Sequence, residues 1–143
     1  MTTPRLPYNE LSPGAYQGFL HSKKALEKSP LGAGLIELIN LRVSQINGCA
    51  YCTQLHAGLL RQRGLDDAMI DSLAGWRVSD RFTERERAAL TWAESLTHVA
   101  ETAAPDAAYQ PLATHFDDTE ISDLTFAVAL MNAFNRLAVG MPI

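Results

Sequence analysis

Apolar residues recur along this chain with the spacing of helices. Within 31–47, Leu35, Ile39, Val43 and Ile46 stand three or four positions apart, which places them on one side of a helix. No stretch shows sustained alternation of apolar and polar residues bounded by hairpin turns. The pattern therefore predicts an all-α protein, a compact bundle of roughly five to seven helices.

Capping residues mark the ends of these helices. Ser12-Pro13, Asp66 and Thr83 carry N-terminal capping chemistry, the last with Glu three positions later. Gly48 and Gly64 suit left-handed C-terminal caps. The final helix is long and apolar, and we expect it to be deeply buried. The predicted helices cover about 13–28, 31–47, 49–63, 66–73, 83–96, 105–114 and 119–139.

Length, composition and charge narrow the class of protein. A chain of 143 residues, 47% of them hydrophobic, can build one core but is short for two, so we expect a single domain over 1–143. A net charge of -4 without basic clusters makes nucleic acid an unexpected partner. No run is long enough to cross a bilayer and 1–5 lack the apolar core of a signal peptide, so we expect a cytoplasmic protein without membrane contact.

The two cysteines stand close together, at Cys49 and Cys52. Secreted disulfide scaffolds usually carry more cysteines at wider spacing, so a pair in a reducing compartment is better explained as reactive. On a helix, Cys49, Cys52 and His56 lie within roughly 60° of one another. A two-residue spacer also lets a first helical turn close a disulfide. The segment predicts reversible thiol–disulfide chemistry within a redox core at about 31–64.

The helix start also favours the reactive form of both thiols. Unpaired amide hydrogens and the helix dipole stabilise a thiolate at Cys49 and at Cys52. His56, one turn beyond Cys52, can take up and return a proton near neutral pH. Glu37, within an apolar stretch of the preceding helix, becomes a partner for His56 if it is buried. A solvent-facing Glu37 is the alternative.

Zinc binding and an inert core pair are the competing explanations of the cysteines. Cys49, Cys52 and His56 are all zinc-ligand types, but a closed structural site needs four ligands and the sequence has no second CxxC or HxxxH motif. A glycine-rich nucleotide fingerprint is also absent from the sequence. We therefore expect neither a metal nor a cofactor.

Several other polar or aromatic residues have more than one interpretation. Tyr51, between the cysteines, either lines the site or packs against the protein. Asn132, Asn135 and Arg136 interrupt the last apolar helix. They can satisfy one another, bind a helix end at a subunit contact or approach the site, and we favour structure over chemistry for them.

The sequence around the cysteines resembles a known family. The run ELINLRVSQINGCAYCTQLH at 37–56 is similar to the core of the alkylhydroperoxidase D branch of the carboxymuconolactone decarboxylase family. The similarity continues less distinctively through Trp92-Ala93-Glu94 to Asn135-Arg136-Leu137. It implies an all-helical fold assembled as trimers or hexamers, so we expect a homo-oligomer.

The resemblance also implies roles for four residues. In that family, the residue matching Cys52 attacks a peroxide and becomes a sulfenic acid, and the one matching Cys49 resolves it as a disulfide. The residues matching Glu37 and His56 relay protons. Helix geometry alone leaves Cys49 a credible nucleophile, and a peroxidase of the family carries histidine at the position of Tyr51.

By the same resemblance, we expect an alkylhydroperoxidase-like enzyme with peroxiredoxin-type activity. Its substrate would be hydrogen peroxide or a small organic hydroperoxide, and its reductant an external dithiol such as a lipoylated protein. Lactone decarboxylation, which the wider family performs typically without the cysteine pair, is one alternative. A non-enzymatic redox sensor or helical assembly module is another, and turnover with a dithiol distinguishes it from a peroxidase.

Overall fold

The computed structural model describes residues 3–143, and every regular element in that range is helical. This confirms the predicted all-α bundle. Five α-helices of thirteen or more residues form its body, and shorter helices connect them. A 3₁₀ helix spans Leu73–Val78. The α-helices are α1 Tyr8–Leu11, α2 Pro13–Leu26, α3 Ala33–Ile46, α4 Ala50–Gln62, α5 Asp67–Asp71, α6 Glu84–Thr97, α7 Val99–Thr102, α8 Asp106–Tyr109, α9 Leu112–His115 and α10 Asp118–Gly140.

The hydrophobic core surrounds α3. This helix packs against α4, α6 and α10. Of its apolar positions predicted from helical spacing, Leu35, Ile39 and Val43 are buried in the core, whereas Ile46 is half-buried. Removing one such aliphatic side chain from water contributes about 1.5–3 kcal/mol. The packing therefore holds α3 firmly against the helix that carries the cysteines. The largest fully buried apolar side chains are Ile39, Leu41, Val43, Leu60, Leu73, Leu90, Leu112, Leu124 and Val128.

The last helix, α10, is buried on one face only, which corrects the expectation of deep burial. Leu124, Val128 and Met131 face the core, whereas Phe126 is 65% exposed. Apolar residues lie all around this helix, but within one chain it is covered only where it meets its neighbours, chiefly α3, α6 and α2. Among the described helices, α10 included, none combines the length and apolarity needed to cross a bilayer.

The segment 105–114 forms two short helices, so the prediction of a single helix there was wrong. α8 and α9 have four residues each, with Pro111 between them. Because proline has no amide hydrogen, the hydrogen-bond ladder of α8 does not continue through it.

The predicted N-terminal caps hold at two of three positions. Thr83 and Glu86 form the expected capping box of α6, and Asp66 accepts a hydrogen bond from the amide of Ala68. Ser12 makes no side-chain cap hydrogen bond, although Pro13 does begin α2.

The two ends of the described chain meet at the C-terminal end of α10. The backbone amide of Arg5 donates to the carbonyl of Pro142 at 2.7 Å. Its guanidinium donates to the carbonyl of Gly140, also at 2.7 Å. A cation is favourable here because the last carbonyls of a helix lack partners and carry the negative end of its dipole.

An ion-pair network joins α3 and α6 to the 3₁₀ helix. Glu94 accepts hydrogen bonds from Arg42 Nε at 2.8 Å, Trp76 Nε1 at 2.9 Å and Arg77 Nη2 at 2.6 Å. Burial alone would raise the pKa of Glu94. The hydrogen bonds from Trp76 and Arg42 and the charges of Arg42 and Arg77 outweigh it, so this pKa lies below its ordinary 4.5.

The connection between α3 and α4 is a sharp turn at Gly48. Its φ of 67° lies in the left-handed region. The amide of Cys49 donates to the carbonyl of Ser44 at 3.0 Å, and the amide of Gly48 donates to that of Gln45 at 3.2 Å. These are the two bonds of a Schellman motif. The predicted helix end at Gly48 is confirmed, and the turn places Cys49 at the start of α4.

Replacing Glu94 should destabilise the protein in a pH-dependent way. Since the pKa of Glu94 is lower when folded than when unfolded, its carboxylate contributes fully above about pH 4.5 and progressively less as pH falls through the folded-state pKa. In urea unfolding, we expect Glu94→Gln to be less stable than wild type near neutral pH, with the difference shrinking near pH 3. Glu84→Gln is the control, because that side chain is 83% exposed. A difference that does not change with pH would contradict this account.

Replacing Gly48 should cost stability for conformational reasons alone. A Cβ at Gly48 or at Gly18 of α2 would meet no atom within 4 Å, but only Gly48 has a positive φ. We expect Gly48→Ala to lower the free energy of unfolding by about 1–2 kcal/mol. Gly18→Ala should raise it by up to about 1 kcal/mol, because alanine is the better helix former. Denaturant titration measures both, and effects of the same sign would refute the explanation.

Candidate active site

Cys49 is the N-cap residue of α4. Its backbone is extended, with φ -82° and ψ 98°, and its Sγ accepts a hydrogen bond from the amide of Cys52 at 3.3 Å. That amide is one of those at a helix start that have no partner within the helix. A sulfur here takes the place of the usual oxygen cap. When this sulfur is a thiolate, the same amide and the helix dipole stabilise its charge.

Cys49 and Cys52 are joined by a disulfide. Their Cα atoms lie 5.3 Å apart, within the usual range for such a bond. Cys49 is 2% exposed and Cys52 is 6% exposed. Because both residues belong to the first turn of one helix, the bond can open and close without rearranging the bundle.

His56 and Glu37 form a hydrogen-bonded pair one helical turn beyond Cys52. His56 shares the buried face of α4 with Cys52, and its Nδ1 lies 2.6 Å from Oε2 of Glu37 on α3. The two side chains are 6% and 16% exposed. Glu37 is therefore partly buried and paired with His56, rather than facing solvent as in the other alternative. In the neutral ring, the carboxylate favours the proton on Nδ1, which leaves Nε2 for proton exchange.

The four residues predicted for the site therefore lie together at the α3–α4 contact. The disulfide occupies the start of α4, and the Glu37–His56 pair lies one turn further along the same interface. Within residues 3–143, no three His, Cys, Asp or Glu side chains are grouped so as to hold a metal ion.

Tyr51 lies at the exposed edge of the site. It is 71% exposed, so it does not pack in the interior of the chain. Burial raises the pKa of Tyr8, and the proximity of Tyr16 and Tyr51 raises it further. The rings of Tyr8 and Tyr16 meet edge to face, with centroids 5.9 Å apart. Tyr8 is thus close enough to Tyr51 for their charges to interact, a proximity that no local pattern in the sequence indicated.

A polar cluster lies against the last turn of α3, just before the cysteines. Asn135 of α10 accepts a hydrogen bond from Asn47 Nδ2 at 3.0 Å and donates one to Ser44 Oγ at 3.1 Å. Asn135 is 1% exposed and Ser44 is fully buried. Asn135 stood out in the sequence as a polar interruption of an apolar helix, whereas Ser44 and Asn47 did not. The only signals were a serine among apolar positions and an asparagine directly before the helix-ending glycine.

Asn132 and Arg136 extend this cluster along α10. Asn132 Oδ1 accepts from Asn47 Nδ2 and from Arg136 Nη1, each at 3.0 Å. Asn132 Nδ2 donates to Thr97 Oγ1 at 3.2 Å and to the carbonyl of Val128 at 2.9 Å. The polar interruptions of α10 therefore satisfy one another and hold α10 to α3 and α6.

Comparisons with known proteins relate this site to a family. Residues 13–95 match the model of the Carboxymuconolactone decarboxylase family. The uncharacterized protein YdfG of Bacillus subtilis is 31% identical over 137 residues, which are 96% of this chain and 93% of YdfG. Both matches span positions 37–56 of this chain, the segment that holds the cysteines and the Glu37–His56 pair.

Solved structures give the same result. An Agrobacterium tumefaciens protein of unknown function, provisionally assigned to antioxidant defence as AhpD, superimposes with a TM-score of 0.93 and 40% identity over 97% of this chain and 95% of that one. An uncharacterized peroxidase-related protein from Ralstonia eutropha, described as an AhpD core, gives a TM-score of 0.80 and 25% identity over 93% and 72%. The chain thus belongs to the carboxymuconolactone decarboxylase family, as an AhpD-like member.

Proposed function

We propose that this protein is a thiol peroxidase that reduces small organic hydroperoxides or hydrogen peroxide through a Cys49–Cys52 dithiol–disulfide cycle. The observation that carries the proposal is the 2.6 Å contact between His56 and Glu37, one turn from the disulfide. Peroxide reduction by a thiol needs a general acid–base beside the nucleophilic cysteine, and the Glu37–His56 pair is suited to that role. The neighbours described as antioxidant or peroxidase-related support the same class of activity.

In the first proposed step, His56 takes the proton of Cys52 and the thiolate attacks the terminal oxygen of the hydroperoxide. A sulfur–oxygen bond forms and the oxygen–oxygen bond breaks. The leaving oxygen takes the proton back from His56 and departs as an alcohol, or as water from hydrogen peroxide. Cys52 becomes a sulfenic acid. Glu37 holds the imidazole in place and stabilises its protonated form between the two transfers.

In the second proposed step, Cys49 attacks the sulfur of the sulfenic acid. The sulfur–sulfur bond forms and the sulfur–oxygen bond breaks. The released hydroxide and the thiol proton of Cys49 combine as water. The disulfide between the two cysteines is the product of this step.

An external dithiol, which we propose to be of the lipoyl type, completes the cycle. Its thiolate attacks Cys52, the more exposed of the two cysteine residues, and Cys49 leaves as a thiolate. The amide of Cys52, 3.3 Å from Cys49 Sγ, stabilises that leaving group. The second thiol of the reductant then releases Cys52 and closes the reductant's own disulfide.

Turnover of cumene hydroperoxide with dihydrolipoamide tests the proposal. We expect many turnovers from wild type and none from Cys52→Ser or Cys49→Ser. Glu37→Gln should lower kcat by about 100-fold, since general acid–base catalysis contributes at least that much. Glu101→Gln, an exposed change in α7, should match wild type. A single oxidation without turnover would leave a redox sensor, and lactone decarboxylation that survives the loss of both cysteines would contradict the proposal.

A labelling experiment on the same cysteine variants identifies the attacking cysteine. After peroxide treatment, dimedone should label Cys52 in the Cys49→Ser variant, because no thiol remains to resolve the sulfenic acid. Peptide mass mapping locates the adduct. Labelling of Cys49 in Cys52→Ser, with no labelling in Cys49→Ser, would reverse the two roles.

We also propose that the chain forms a homo-oligomer, a trimer or hexamer in keeping with the family. Phe126 is 65% exposed on the outer face of α10, and Ala129 on the same face is exposed as well. The fourteen-residue helix α2 has no buried residue in the single chain. Helices with exposed apolar faces typically bury them against another copy.

Light scattering coupled to size-exclusion chromatography tests this assembly. We expect wild type to elute as a trimer or hexamer and Phe126→Lys to shift to a smaller species, because a buried charge disfavours the contact. Val78→Lys is the matched control, since Val78 is 94% exposed on the 3₁₀ helix. A monomeric wild type would refute the proposal.

A further inference from the structure

Asn135, Ser44 and the half-buried Asn47 form a hydrogen-bonded clamp on the turn that precedes Cys49. The amide of Asn135 spans the last turn of α3, with Oδ1 bound to Asn47 Nδ2 at 3.0 Å and Nδ2 bound to Ser44 Oγ at 3.1 Å. The backbone carbonyl of Ser44 in turn accepts the amide of Cys49 at 3.0 Å. One side chain from α10 therefore contacts both ends of the segment 44–47, and the first residue of that segment binds the amide of Cys49.

The polar character of this clamp is not explained by packing. Asn135 is 1% exposed and Ser44 is fully buried, and burying an amide and a hydroxyl is unfavourable unless both are hydrogen-bonded. An apolar pair of similar volume would fill the same space without that requirement. Hydrogen bonds differ from apolar contacts because they fix orientation as well as distance. The clamp thus specifies where the end of α3 lies and how it is turned.

We propose that Asn135 is a positioning residue for Cys49. By orienting Ser44 and Asn47, it fixes the carbonyl that binds the Cys49 amide and keeps Cys49 Sγ in reach of Cys52. The inference rests on the proposed use of the Cys49–Cys52 disulfide. Asn135 acts through the backbone of α3 and makes no hydrogen bond to either sulfur.

The clamp should favour the disulfide over the dithiol. With the last turn of α3 held in place, closing the bond requires little further ordering of the chain. Without the clamp, the turn must be ordered when the bond closes, and the lost conformational entropy opposes closure. Loss of the clamp therefore shifts the equilibrium toward the dithiol, at a given concentration of reductant.

Redox titration against lipoamide and dihydrolipoamide measures this equilibrium directly. We expect Asn135→Ala to shift it about tenfold toward the dithiol, or about 30 mV for this two-electron couple. Asn47→Ala removes the other end of the clamp from a half-buried position, so it is the safer variant for folding and should shift the equilibrium in the same direction.

Thr125→Val is the matched control for general loss of stability. Thr125 lies on the same helix and accepts a hydrogen bond from Trp92 Nε1 at 3.0 Å, on a contact with α6. It should lower stability without moving the redox equilibrium. Wild-type equilibrium in Asn47→Ala, or an equal shift in Thr125→Val, would overturn the proposal. The titration needs no peroxide, so failure of the peroxidase assay and failure of this inference are distinguishable.

Discussion

The left-handed turn at Gly48 is the constraint on which the arrangement of the site depends. Only three residues separate α3 from α4. Cys49 belongs to both ends, because its amide binds the Ser44 carbonyl of α3 and its side chain caps α4. A longer connection would let α4 rotate about its axis and separate Cys52 and His56 from the face that meets α3. Because the turn is so short, the core packing of α3 also sets the position of the disulfide.

The carboxylates of Glu94 and Glu37, on neighbouring helices, differ in the residues that bind them, and this difference determines what each contact can do. Glu94 is held by Arg42 and Arg77, and a guanidinium keeps its proton under all ordinary conditions. Glu37 is held by His56, and an imidazole, unlike a guanidinium, can serve as either donor or acceptor of a proton. The contacts of Glu94 can only fix helices in place, whereas the Glu37–His56 contact also suits the proton exchange that we propose. α3 contributes one member to each pair.

Features coded within one turn or two were predictable from the sequence. The Gly48 helix end, the Thr83 capping box and the common face of Cys49, Cys52 and His56 depend on neighbours in the chain, and their geometry follows from helical spacing. The pairing of Glu37 with His56 crosses between helices. The apolar surroundings of Glu37 suggested this pairing only on condition that Glu37 is buried, and the family resemblance decided between that and a solvent-facing position.

Contacts between segments that are distant in the sequence could not be predicted from local patterns. Asn135 and Ser44 are 91 positions apart, and no local pattern relates them. The four-residue helices α1 and α7 were missed, because so short a helix has little intrinsic stability and forms only through tertiary contacts. The exposure of one face of α10 could not be predicted either, because the sequence of an apolar helix does not show which of its faces has a neighbour within the same chain.

The contact of Arg5 with the end of α10 couples the opposite ends of the polypeptide. These groups lie 135 positions apart, yet the guanidinium of Arg5 satisfies a carbonyl that the helix leaves open. A variant that lacks Arg5 would lose this cap. The C-terminal end of α10, one to two turns from Asn135, would then fray. Arg5 thereby supports the helix that carries Asn135, although the two residues lie far apart in sequence.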